Sequence, residues 1–441
     1  GVGSLSESPI GVGMIGCGTV GGGVARLLRE QAEVYAARLG RPIELRRVLV
    51  RDTRKARAAL PDADTLLTDD ADAFLDTPDM PIVIEAAGGR GAVSEHVQRA
   101  LQAGKHVVTA NKSLLAAEGP ALFQLAHRHN ACIAFEASCG GGIPIITAIQ
   151  FGLMANSIRG MYGILNGTCN YILTEMTQRG KSYAEALAEA QAAGFAEADP
   201  TLDVSGRDAA QKLAILAAIA FGVKVDEQQV WAEGIDTLDL QDIRLGAELG
   251  YDIKLLAIAE QVDGRVSMRV HPCFIHVDEA IAQVHGSFNA LSVYGHAVGH
   301  TFYMGRGAGE LPTASAVVSD LLNVASGWYP QAFARMRLWP DTHAPAKVID
   351  AGELISRFYI RVNAMDKPGV MAQISRVLGE AGISISAILQ HEAAAGQFVP
   401  VVITTHEAQQ GPLNGAIAQL EQLDVIEGRP VCIRIVEMPA G

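Results

Sequence analysis

The sequence predicts an α/β protein that begins with a doubly wound parallel sheet, continues as an α+β domain and ends in a small βαββαβ domain. Three observations support this fold class. From Ile10, short apolar runs alternate with helical stretches, which is typical of right-handed βαβ crossovers. The middle of the chain mixes long helices with isolated strands, and the tail repeats a strand, helix, strand order. A chain of 441 residues has room for about three domains of roughly 150 residues.

The composition excludes several classes of protein. An apolar share of 49% provides enough material for a buried core, which excludes a mainly disordered chain. The net charge of −13 argues against nucleic-acid and membrane partners, because polyanions need a basic surface. No apolar run approaches the roughly 20 residues that cross a bilayer, and no secretory signal is expected before the first strand. The 6 cysteines show no paired spacing, which favours a reducing, cytoplasmic location.

Residues 1–135 form the predicted parallel-sheet domain. Apolar runs of strand length are expected to pair side by side, and the helical stretches between them are expected to cover the sheet. The predicted strands are IGVGMI, IELRRVLV, PIVIEAAG, KHVVTANK and CIAFEA, and the predicted helices run from Val20 to Leu39, from Ser94 to Ala103 and from Ala121 to His129.

A glycine-rich turn follows the first strand, with Gly16, Gly18 and Gly21 separated by Cys17 and by the pair Thr19 and Val20. This G-x-G-x-x-G pattern between a strand and a helix is typical of Rossmann-type domains. The first glycine allows the tight turn, the second lets the backbone approach a pyrophosphate, and the third lets the helix pack on the strand. The pattern predicts a dinucleotide site, and a glycine turn without a ligand is the alternative.

The end of the second strand bears on which dinucleotide would bind. An acidic residue there holds a ribose 2′-hydroxyl, whereas an arginine accommodates a 2′-phosphate. Arg51 comes first, followed by Asp52 and a basic run that includes Arg54, Lys55 and Arg57. The order favours NADP over NAD, and the alternative is that these basic residues are only a solvent-exposed helix start.

Residues 136–330 are predicted to form the α+β domain for substrate binding, catalysis and dimerisation, with its last helix, within 310–330, returning to the first domain. Residues 331–352 contain two prolines and are predicted to be a linker, and residues 353–441 form the βαββαβ domain. The predicted helices of the middle part are Tyr183 to Ala193 and Asp208 to Phe221, and its predicted strands are Val266 to Pro272 and His300 to Met304.

An acid and a lysine share one face of the second of these helices. Asp208 and Lys212 stand four residues apart, a favourable spacing for an ion pair. A surface pair is the alternative, but the apolar run directly after Lys212 indicates that the helix is largely buried. Burial disfavours the charged form of an amine, so Lys212 could donate and accept a proton.

Several segments together resemble homoserine dehydrogenase: TANKSLL from Thr109, GILNGTCNYIL from Gly163, GFAEADPTLDVSGRDAAQKLAILA from Gly194, and GRGAGELPTASAVVSD from Gly305. The resemblance covers most of residues 10–325. It implies reversible reduction of L-aspartate 4-semialdehyde to L-homoserine by hydride transfer from NAD(P)H. Another amino-acid dehydrogenase on the same scaffold, or a non-catalytic amino-acid sensor, is the alternative.

The resemblance also implies roles for particular residues. Lys212 would be the general acid and base, and Lys112 a second catalytic lysine near the nicotinamide. Glu197 and Asp208 would contact the substrate, whose ammonium group needs carboxylate partners. Gly194 and the glycine loop at Gly309 would contact the cofactor. Asp199 and Asp203 could equally be helix caps or turn acids and are left out of the core site.

The family binds a monovalent cation, commonly sodium, through main-chain oxygens. The matching positions here are Cys139, Gly141 and Ile143, with Glu136 as a further ligand. Oxygen ligands suit a hard cation. A glycine hinge between two domains is the alternative interpretation of this segment.

The tail DKPGVMAQISRVLGEAGISI resembles an ACT domain, a regulatory module that binds amino acids at dimer interfaces. Gly369 stands at the strand-to-helix turn, where a helix N-terminus can receive a carboxylate. The resemblance implies an amino-acid effector, with threonine as the hypothesis, and a homodimer or homotetramer. The tail could instead serve dimerisation alone.

Two further signals are set aside. Cys139 could be a thiolate nucleophile, but its sequence neighbours offer no histidine as a base. His296 and His300 have the spacing of metal ligands on a helix, yet Gly295 and Gly299 disfavour a helix there. Both histidines are expected to be ordinary polar residues.

Overall fold

The computed structural model describes residues 8–60, 64–394 and 396–440. Residues 1–7 and 441, which fall in the predicted first and last domains, lie outside the described residues, as do 61–63 and 395. The strands are β1 (Ile10–Ile15), β2 (Ile43–Leu49), β3 (Leu67–Thr68), β4 (Ile82–Glu85), β5 (His106–Thr109), β6 (Ile133–Ala134), β7 (Ile158–Ile164), β8 (Trp231–Ala232), β9 (Tyr251–Val262), β10 (Arg265–His276), β11 (Phe288–Gly295), β12 (Gly299–Arg306), β13 (Ile355–Met365), β14 (Ile385–Gln390), β15 (Phe398–Thr405), β16 (Ala408–Gln409) and β17 (Ile426–Ile435).

The helices alternate with these strands over most of the chain. They are α1 (Thr19–Glu30), α2 (Ala32–Leu39), α3 (Thr53–Ala59), α4 (Ala71–Leu75), α5 (Ala92–Gln102), α6 (Lys112–Arg128), α7 (Ile145–Thr147), α8 (Gly167–Arg179), α9 (Tyr183–Ala192), α10 (Thr201–Val204), α11 (Arg207–Phe221), α12 (Leu240–Glu248), α13 (Glu310–Ala325), α14 (Trp328–Arg335), α15 (Val370–Glu380) and α16 (Gln410–Glu421).

Contacts between residues divide the chain into two compact units. The first unit combines residues up to Arg159 with Ala210–Val230 and Phe288–Ala346. The second unit combines Gly160–Ala209, Trp231–Ser287 and the residues from Lys347 onward. Each unit is described separately below.

The first unit contains a parallel sheet in the order β3-β2-β1-β4-β5-β6. This is the doubly wound order, in which the strand sequence reverses between β1 and β4. All six residues of β1 are buried, as expected for a strand that is covered by helices on both faces. The sheet confirms the predicted Rossmann-type domain.

Helix α13 packs against α1 in the first unit. A Cβ added at Gly23 would lie 2.9 Å from the Glu310 side chain and 3.1 Å from Ala314, so glycine permits this close approach. The same unit holds the antiparallel hairpin of β11 and β12.

The second unit contains a mixed sheet in which the strands neighbour one another in the order β7-β9-β10-β17-β13-β15-β14. The elements from β13 to β17 follow the predicted βαββαβ order, which confirms the ferredoxin-like tail. Strand β17 pairs in parallel with β10, matching Arg434 with Cys273 and Ile435 with Phe274. The tail sheet therefore continues the sheet of the preceding α+β part.

Three helical segments differ from the expectation. The helix expected over Val20 to Leu39 is divided at Gln31 into α1 and α2. Helix α6 begins at Lys112 and continues through Pro120, although proline removes one backbone hydrogen bond. Part of the predicted linker 331–352 belongs to α14, and a 2.7 Å contact joins Asp341 to His127 of α6.

None of the helices formed by the described residues has the length and apolar character that a bilayer crossing requires. All 6 cysteines are unpaired thiols.

Candidate active site

The glycine turn after β1 has the geometry that its sequence predicts. Gly16 has a φ of +87°, and an added Cβ would lie 2.6 Å from the Cα of Ala87. A Cβ at Gly21 would lie 2.6 Å from the carbonyl oxygen of Gly16, so glycine lets α1 pack onto the turn. Gly18 is exposed, with open space where a Cβ would be. The second glycine therefore leaves the backbone open to a ligand.

Helix α1 starts directly at this turn. Gly18 is its N-cap, none of the described side chains caps it, and its first turn, with Thr19 and Val20, carries no acidic residue. The first amide groups of a helix point along its axis and favour an anion. These features fit a dinucleotide pyrophosphate at Gly16 to Gly21.

Just after β2, the acidic side chain makes local hydrogen bonds, whereas the basic side chains are exposed to solvent. Asp52 is the N-cap of α3, and its Oδ1 accepts hydrogen bonds from the amides of Arg54, at 3.0 Å, and Lys55, at 3.4 Å. Arg51 is exposed, as are Arg54 and Lys55. The side chain of Arg57 lies outside the described residues. Asp52 is thus engaged in capping α3, whereas the side chain of Arg51 faces solvent.

A buried carboxylate that the sequence analysis did not single out organises the carboxyl ends of β4 and β5. Glu85 is fully buried, and its Oε1 accepts from the amides of Ala87, at 2.9 Å, and Gly88, at 2.8 Å. Its Oε2 accepts from the hydroxyl of Thr109 at 2.7 Å. A glutamate that ends a buried apolar strand is the sequence signal that could have found it.

Lys112 is the first residue of α6, at the carboxyl edge of the parallel sheet. The preceding Asn111 caps this helix by accepting from the amide of Leu114 at 3.0 Å, and its Nδ2 donates to the carbonyl of Gly89 at 2.6 Å. The amide of Asn111 also donates to the Thr109 hydroxyl at 3.0 Å. This network fixes the backbone from which the half-buried Lys112 side chain extends.

Lys212 lies on α11, one turn after Asp208, as the sequence predicts. Its side chain is half-buried and is followed by the buried residues Leu213 and Ala214. The thiol of Cys139 donates to the main-chain oxygen of Lys212 at 3.7 Å. Complete burial raises the pKa of Cys139 to about 12, so the thiol stays protonated and is unsuited to act as a nucleophile.

In the second unit, the side-chain amide of one asparagine donates hydrogen bonds to two carboxylates. The Nδ2 of Asn166 donates to Oδ1 of Asp203 and to Oδ2 of Asp208, each at 2.8 Å. Asp208 is buried, with 4% of its surface exposed. Asp203, which the sequence analysis left out of the site, thus shares a donor with Asp208. Asp199 behaves as a turn acid, since its Oδ1 accepts from the amide of Thr201 at 3.1 Å, whereas the N-cap of α10 is Pro200.

Gly194 and Glu197 belong to the loop between α9 and α10, and both are exposed. Gly194 has a φ of +78°, which favours glycine. Two contacts of 2.6 and 3.0 Å hold this loop, from the Thr168 hydroxyl to the Phe195 carbonyl and from Gln191 Nε2 to the Glu197 carbonyl.

Glu136 stands at the start of the predicted cation segment and is buried. Its two carboxylate oxygens accept from the amides of Ile146, at 2.8 Å, and Thr147, at 3.0 Å. Its own amide donates to Oδ2 of Asp320 at 2.8 Å. Burial and the neighbouring Glu136 raise the pKa of Asp320 well above its usual value, and burial raises the pKa of Glu136. Glu136 therefore has a structural role at α7, and the cation site stays a prediction.

The remaining cation positions lie on a loop that packs against the glycine loop before α13. A Cβ at Gly141 would collide with the carbonyl of Gly307, and the amide of Gly142 donates to the carbonyl of Arg306 at 2.8 Å. Gly309 has a φ of 119° and is the N-cap of α13, which no described side chain caps. The carbonyl of Ile143 accepts from the amide of Ile145 at 2.7 Å, and Cys139 is buried.

The two histidines have ordinary polar contacts. His296 accepts from the amide of Ser157 at 3.0 Å, and His300 contacts the Ser292 hydroxyl at 3.0 Å. In the part of the chain that the structure describes, no group of three or more His, Cys, Asp or Glu residues could hold a metal ion.

Comparison with known proteins gives consistent matches over nearly the whole chain. Family models match at residues 16–136 (Homoserine dehydrogenase, NAD binding domain), 144–322 (Homoserine dehydrogenase) and 358–425 (ACT domain). The homoserine dehydrogenase of Pseudomonas aeruginosa is 42% identical over 98% of this chain and 99% of its own length. That of Neisseria gonorrhoeae is 41% identical over 97% and 98%.

A solved homoserine dehydrogenase from Thiobacillus denitrificans has 42% identity and a TM-score of 0.92, covering 98% of this chain and 99% of that one. Both comparisons agree with the parallel-sheet domain and the ferredoxin-like tail described above. The chain therefore belongs to the homoserine dehydrogenase family of nicotinamide-dependent oxidoreductases, which act on a CH–OH group.

Proposed function

We propose that the protein catalyses the reversible reduction of L-aspartate 4-semialdehyde to L-homoserine with NADP(H), in threonine, methionine and isoleucine biosynthesis in the cytoplasm. The observation that carries the proposal is on α11, where the buried carboxylate of Asp208 precedes the half-buried amine of Lys212 by one turn. Such a pair offers a carboxylate for an amino-acid ammonium group and an amine for proton transfer. The family membership supports the same chemistry.

The nicotinamide, when bound, supplies or accepts the hydride at the substrate carbon. Lys212 donates a proton to the oxygen that becomes the hydroxyl of homoserine, and it removes that proton in the reverse direction. Lys112 extends from the network of Glu85, Thr109 and Asn111, so its position is fixed at the carboxyl edge of the sheet. Its ammonium group would stabilise negative charge on the same oxygen.

The acids supply the recognition of the amino acid. Asp208 is a buried acceptor on α11, and Glu197 is an exposed carboxylate on a loop that α8 and α9 hold in place. A carboxylate that lies away from bulk water attracts an ammonium group more strongly than one in water. Asp208 would therefore favour an amino-acid aldehyde over a simple aldehyde, and Glu197 would add a second, exposed negative charge.

The end of β2 supports NADP as the preferred cofactor. Asp52 caps α3, while Arg51 is exposed and free of that role. An arginine fork can bind the 2′-phosphate that distinguishes NADP from NAD. The glycine positions Gly16, Gly18 and Gly21 fit both dinucleotides equally.

Replacing Arg51 by alanine is expected to raise KM for NADP by about tenfold, because charge-assisted hydrogen bonds to phosphate contribute on the order of 1.5–3 kcal/mol. KM for NAD should change little, since NAD lacks the 2′-phosphate. Steady-state kinetics with each cofactor measures both values. Arg29, on α1, is a control arginine, and its replacement should leave KM for NADP and KM for NAD unchanged. Equal effects on the two cofactors would show that Arg51 does not read the 2′-phosphate.

The tail supports regulation by an amino acid, for which threonine is the proposed effector. Gly369 is exposed with a φ of +87° and is the N-cap of α15, whose first turn contains no acidic residue. A carboxylate is therefore favoured at this helix end. The same tail would support a homodimer or homotetramer, as ACT domains bind amino acids between copies.

A monovalent cation such as sodium is the remaining part of the proposal. Cys139, Gly141 and Ile143 would offer main-chain oxygens, and Glu136 a carboxylate that already accepts two amide hydrogens. Oxygen ligands of this kind suit a hard cation. Activity measured in sodium, potassium and choline salts at equal ionic strength tests this part.

One steady-state assay tests the main proposal. Homoserine is supplied with NADP or with NAD, with and without threonine, and the absorbance of the reduced nicotinamide is followed. Turnover with homoserine supports the proposal, whereas turnover only with another amino alcohol would indicate a different dehydrogenase. Threonine binding by calorimetry without any turnover would indicate a sensor.

A further inference from the structure

A second glycine-rich turn follows β4, beside the turn that follows β1. These two strands are neighbours in the parallel sheet, at the point where the strand order reverses. Residues 86–91, here called the β4 turn, include Gly88, Gly89 and Gly91, with φ values of +72°, +79° and +68°. A Cβ added at any of these glycines would lie in open space. The backbone of the β4 turn is therefore open to a ligand at the carboxyl edge of the sheet, where such folds bind nucleotides.

One carboxylate oxygen of Glu85, the last residue of β4, holds the β4 turn. Its Oε1 accepts from the amides of Ala87, at 2.9 Å, and Gly88, at 2.8 Å. Ala87 also packs against the first glycine turn, since a Cβ added at Gly16 would lie 2.6 Å from the Cα of Ala87. Glu85 is fully buried, so it acts on the crevice through the backbone that it holds.

The other carboxylate oxygen of Glu85 connects to the start of α6. Oε2 accepts from the Thr109 hydroxyl at 2.7 Å, and the same hydroxyl oxygen accepts from the amide of Asn111 at 3.0 Å. Asn111 caps α6, whose first residue is Lys112, and its Nδ2 donates to the carbonyl of Gly89 at 2.6 Å. The series of hydrogen bonds therefore closes on the β4 turn. A single carboxylate links this turn to the residue before Lys112.

Only a carboxylate satisfies all of these partners. The two amides and the Thr109 hydroxyl are donors, and Oγ1 of Thr109 is already the acceptor for Asn111. A glutamine at position 85 would accept at one oxygen and present an N–H group on the other side. Oγ1 of Thr109 would then face two N–H groups, and its own hydrogen would lose its acceptor. The charge of a carboxylate also makes each hydrogen bond roughly twice as strong as one to a neutral acceptor.

We propose that Glu85 is a positioning residue that sets two parts of the active site through its two oxygens. Oε1 shapes the β4 turn for the cofactor, and Oε2 fixes the backbone from which Lys112 extends. Arg51, at the end of β2, would bind the 2′-phosphate of the adenosine ribose, so the nicotinamide half of the dinucleotide would lie on the other side of β1, over β4. This inference rests on the proposed function, because it takes from it the catalytic role of Lys112.

Glu85→Gln is expected to raise Kd for NADPH and to lower kcat for homoserine oxidation, each by about tenfold, because both oxygens lose part of their bonding. Fluorescence titration of NADPH and steady-state kinetics measure the two values. Amide hydrogen exchange in the β4 turn of the cofactor-free protein should also become faster. Glu118→Gln is the matched control, since Glu118 of α6 accepts from the Ser94 hydroxyl of α5 at 2.6 Å. It loses a bond of the same kind and should leave all three quantities unchanged.

Two variants of Thr109 separate the effects of the two oxygens. Thr109→Val removes the link to Asn111 and leaves the bonds of Glu85 Oε1 to the β4 turn in place. It should lower kcat by about tenfold or more, because small displacements of a catalytic group are costly, while Kd for NADPH stays within about twofold. Thr109→Ser restores the hydroxyl and should recover kcat to within about threefold of the unmodified protein.

The outcomes distinguish this inference from the proposed function. An unmodified protein that does not turn over homoserine would contradict the proposed function, whereas Kd for NADPH and hydrogen exchange would still test the bonds of Glu85 to the β4 turn. The inference is overturned if Glu85→Gln keeps both Kd and kcat within about threefold of the unmodified protein, or if Glu118→Gln has the same effects.

The Thr109 variants also decide the matter if Glu85→Gln does not fold, as judged by circular dichroism. A general loss of stability would change cofactor binding and turnover together. The inference is therefore overturned if Thr109→Val weakens NADPH binding as much as it lowers kcat. It is also overturned if Thr109→Ser is as slow as Thr109→Val, because the hydroxyl would then have no part in holding Lys112.

Discussion

Replacing Lys212 by alanine is expected to lower kcat for homoserine oxidation by about a hundredfold or more, because general acid–base catalysis contributes roughly 10²- to 10⁴-fold. The half-buried amine on α11 is the group that would take the proton from the hydroxyl. Binding of NADP should change little, because the pyrophosphate would be held by the glycine turn after β1, which does not include Lys212. Steady-state kinetics and a titration of NADPH fluorescence measure the two effects.

Lys212→Arg distinguishes proton transfer from charge alone. Arginine keeps the positive charge but does not release its proton at neutral pH. We therefore expect it to be nearly as slow as the alanine variant. Lys224, just after the end of α11, provides the control lysine, and its replacement by alanine should leave kcat unchanged. An unaltered kcat in Lys212→Ala would remove Lys212 from catalysis and would falsify the assignment.

The parts of this site that local sequence could predict depend on local backbone geometry. The positive φ of Gly16 and the close packing at Gly21 are properties of a short turn, so a pattern of glycines reports them directly. The same holds for the four-residue spacing of Asp208 and Lys212, which places both on successive turns of one helix. Local patterns identified these residues because their geometry is set within a few positions.

Glu85 and Asn166 depend instead on contacts between distant segments. The partners of Glu85 include Thr109, on the neighbouring strand β5, and those of Asn166 include Asp208, on another helix. Neither pairing has a spacing that a single sequence reveals. Asn166 does carry a local signal as the residue before a helix, but its second role as a donor to two acids emerges only when α8, α10 and α11 are in place.

Tertiary packing also explains why α6 is longer than its sequence predicts. Proline normally ends a helix, so the expected helix began after Pro120. In the structure the buried side chains of Leu114 and Leu115 before the proline, and of Leu122 and Phe123 after it, form one apolar face. Burial of that face outweighs the missing hydrogen bond, and Lys112 thereby becomes the first residue of a helix.

The attachment of the ACT domain was not predictable from local patterns. Strand β17 pairs with β10, although more than a hundred residues separate them in sequence, as the pair of Cys273 and Arg434 shows. Helix α12 adds a buried contact to the same domain. Asp242, 1% exposed, accepts from Nη2 of Arg361 at 2.9 Å and from the Tyr359 hydroxyl at 2.7 Å. The ACT domain and the α+β part thus share one sheet and one buried ion pair.

Replacing Asp242 by alanine is expected to lower the free energy of unfolding by about 3–5 kcal/mol, because it leaves the buried guanidinium of Arg361 without its counter-ion. Urea denaturation followed by circular dichroism measures the loss. Glu248→Ala is the matched control, since Glu248 lies on the same helix and pairs at 2.9 Å with the exposed His391. An exposed pair contributes about 0–1 kcal/mol, so this variant should unfold almost as the unmodified protein does. Similar losses in both variants would show that the buried pair does not hold the ACT domain to α12.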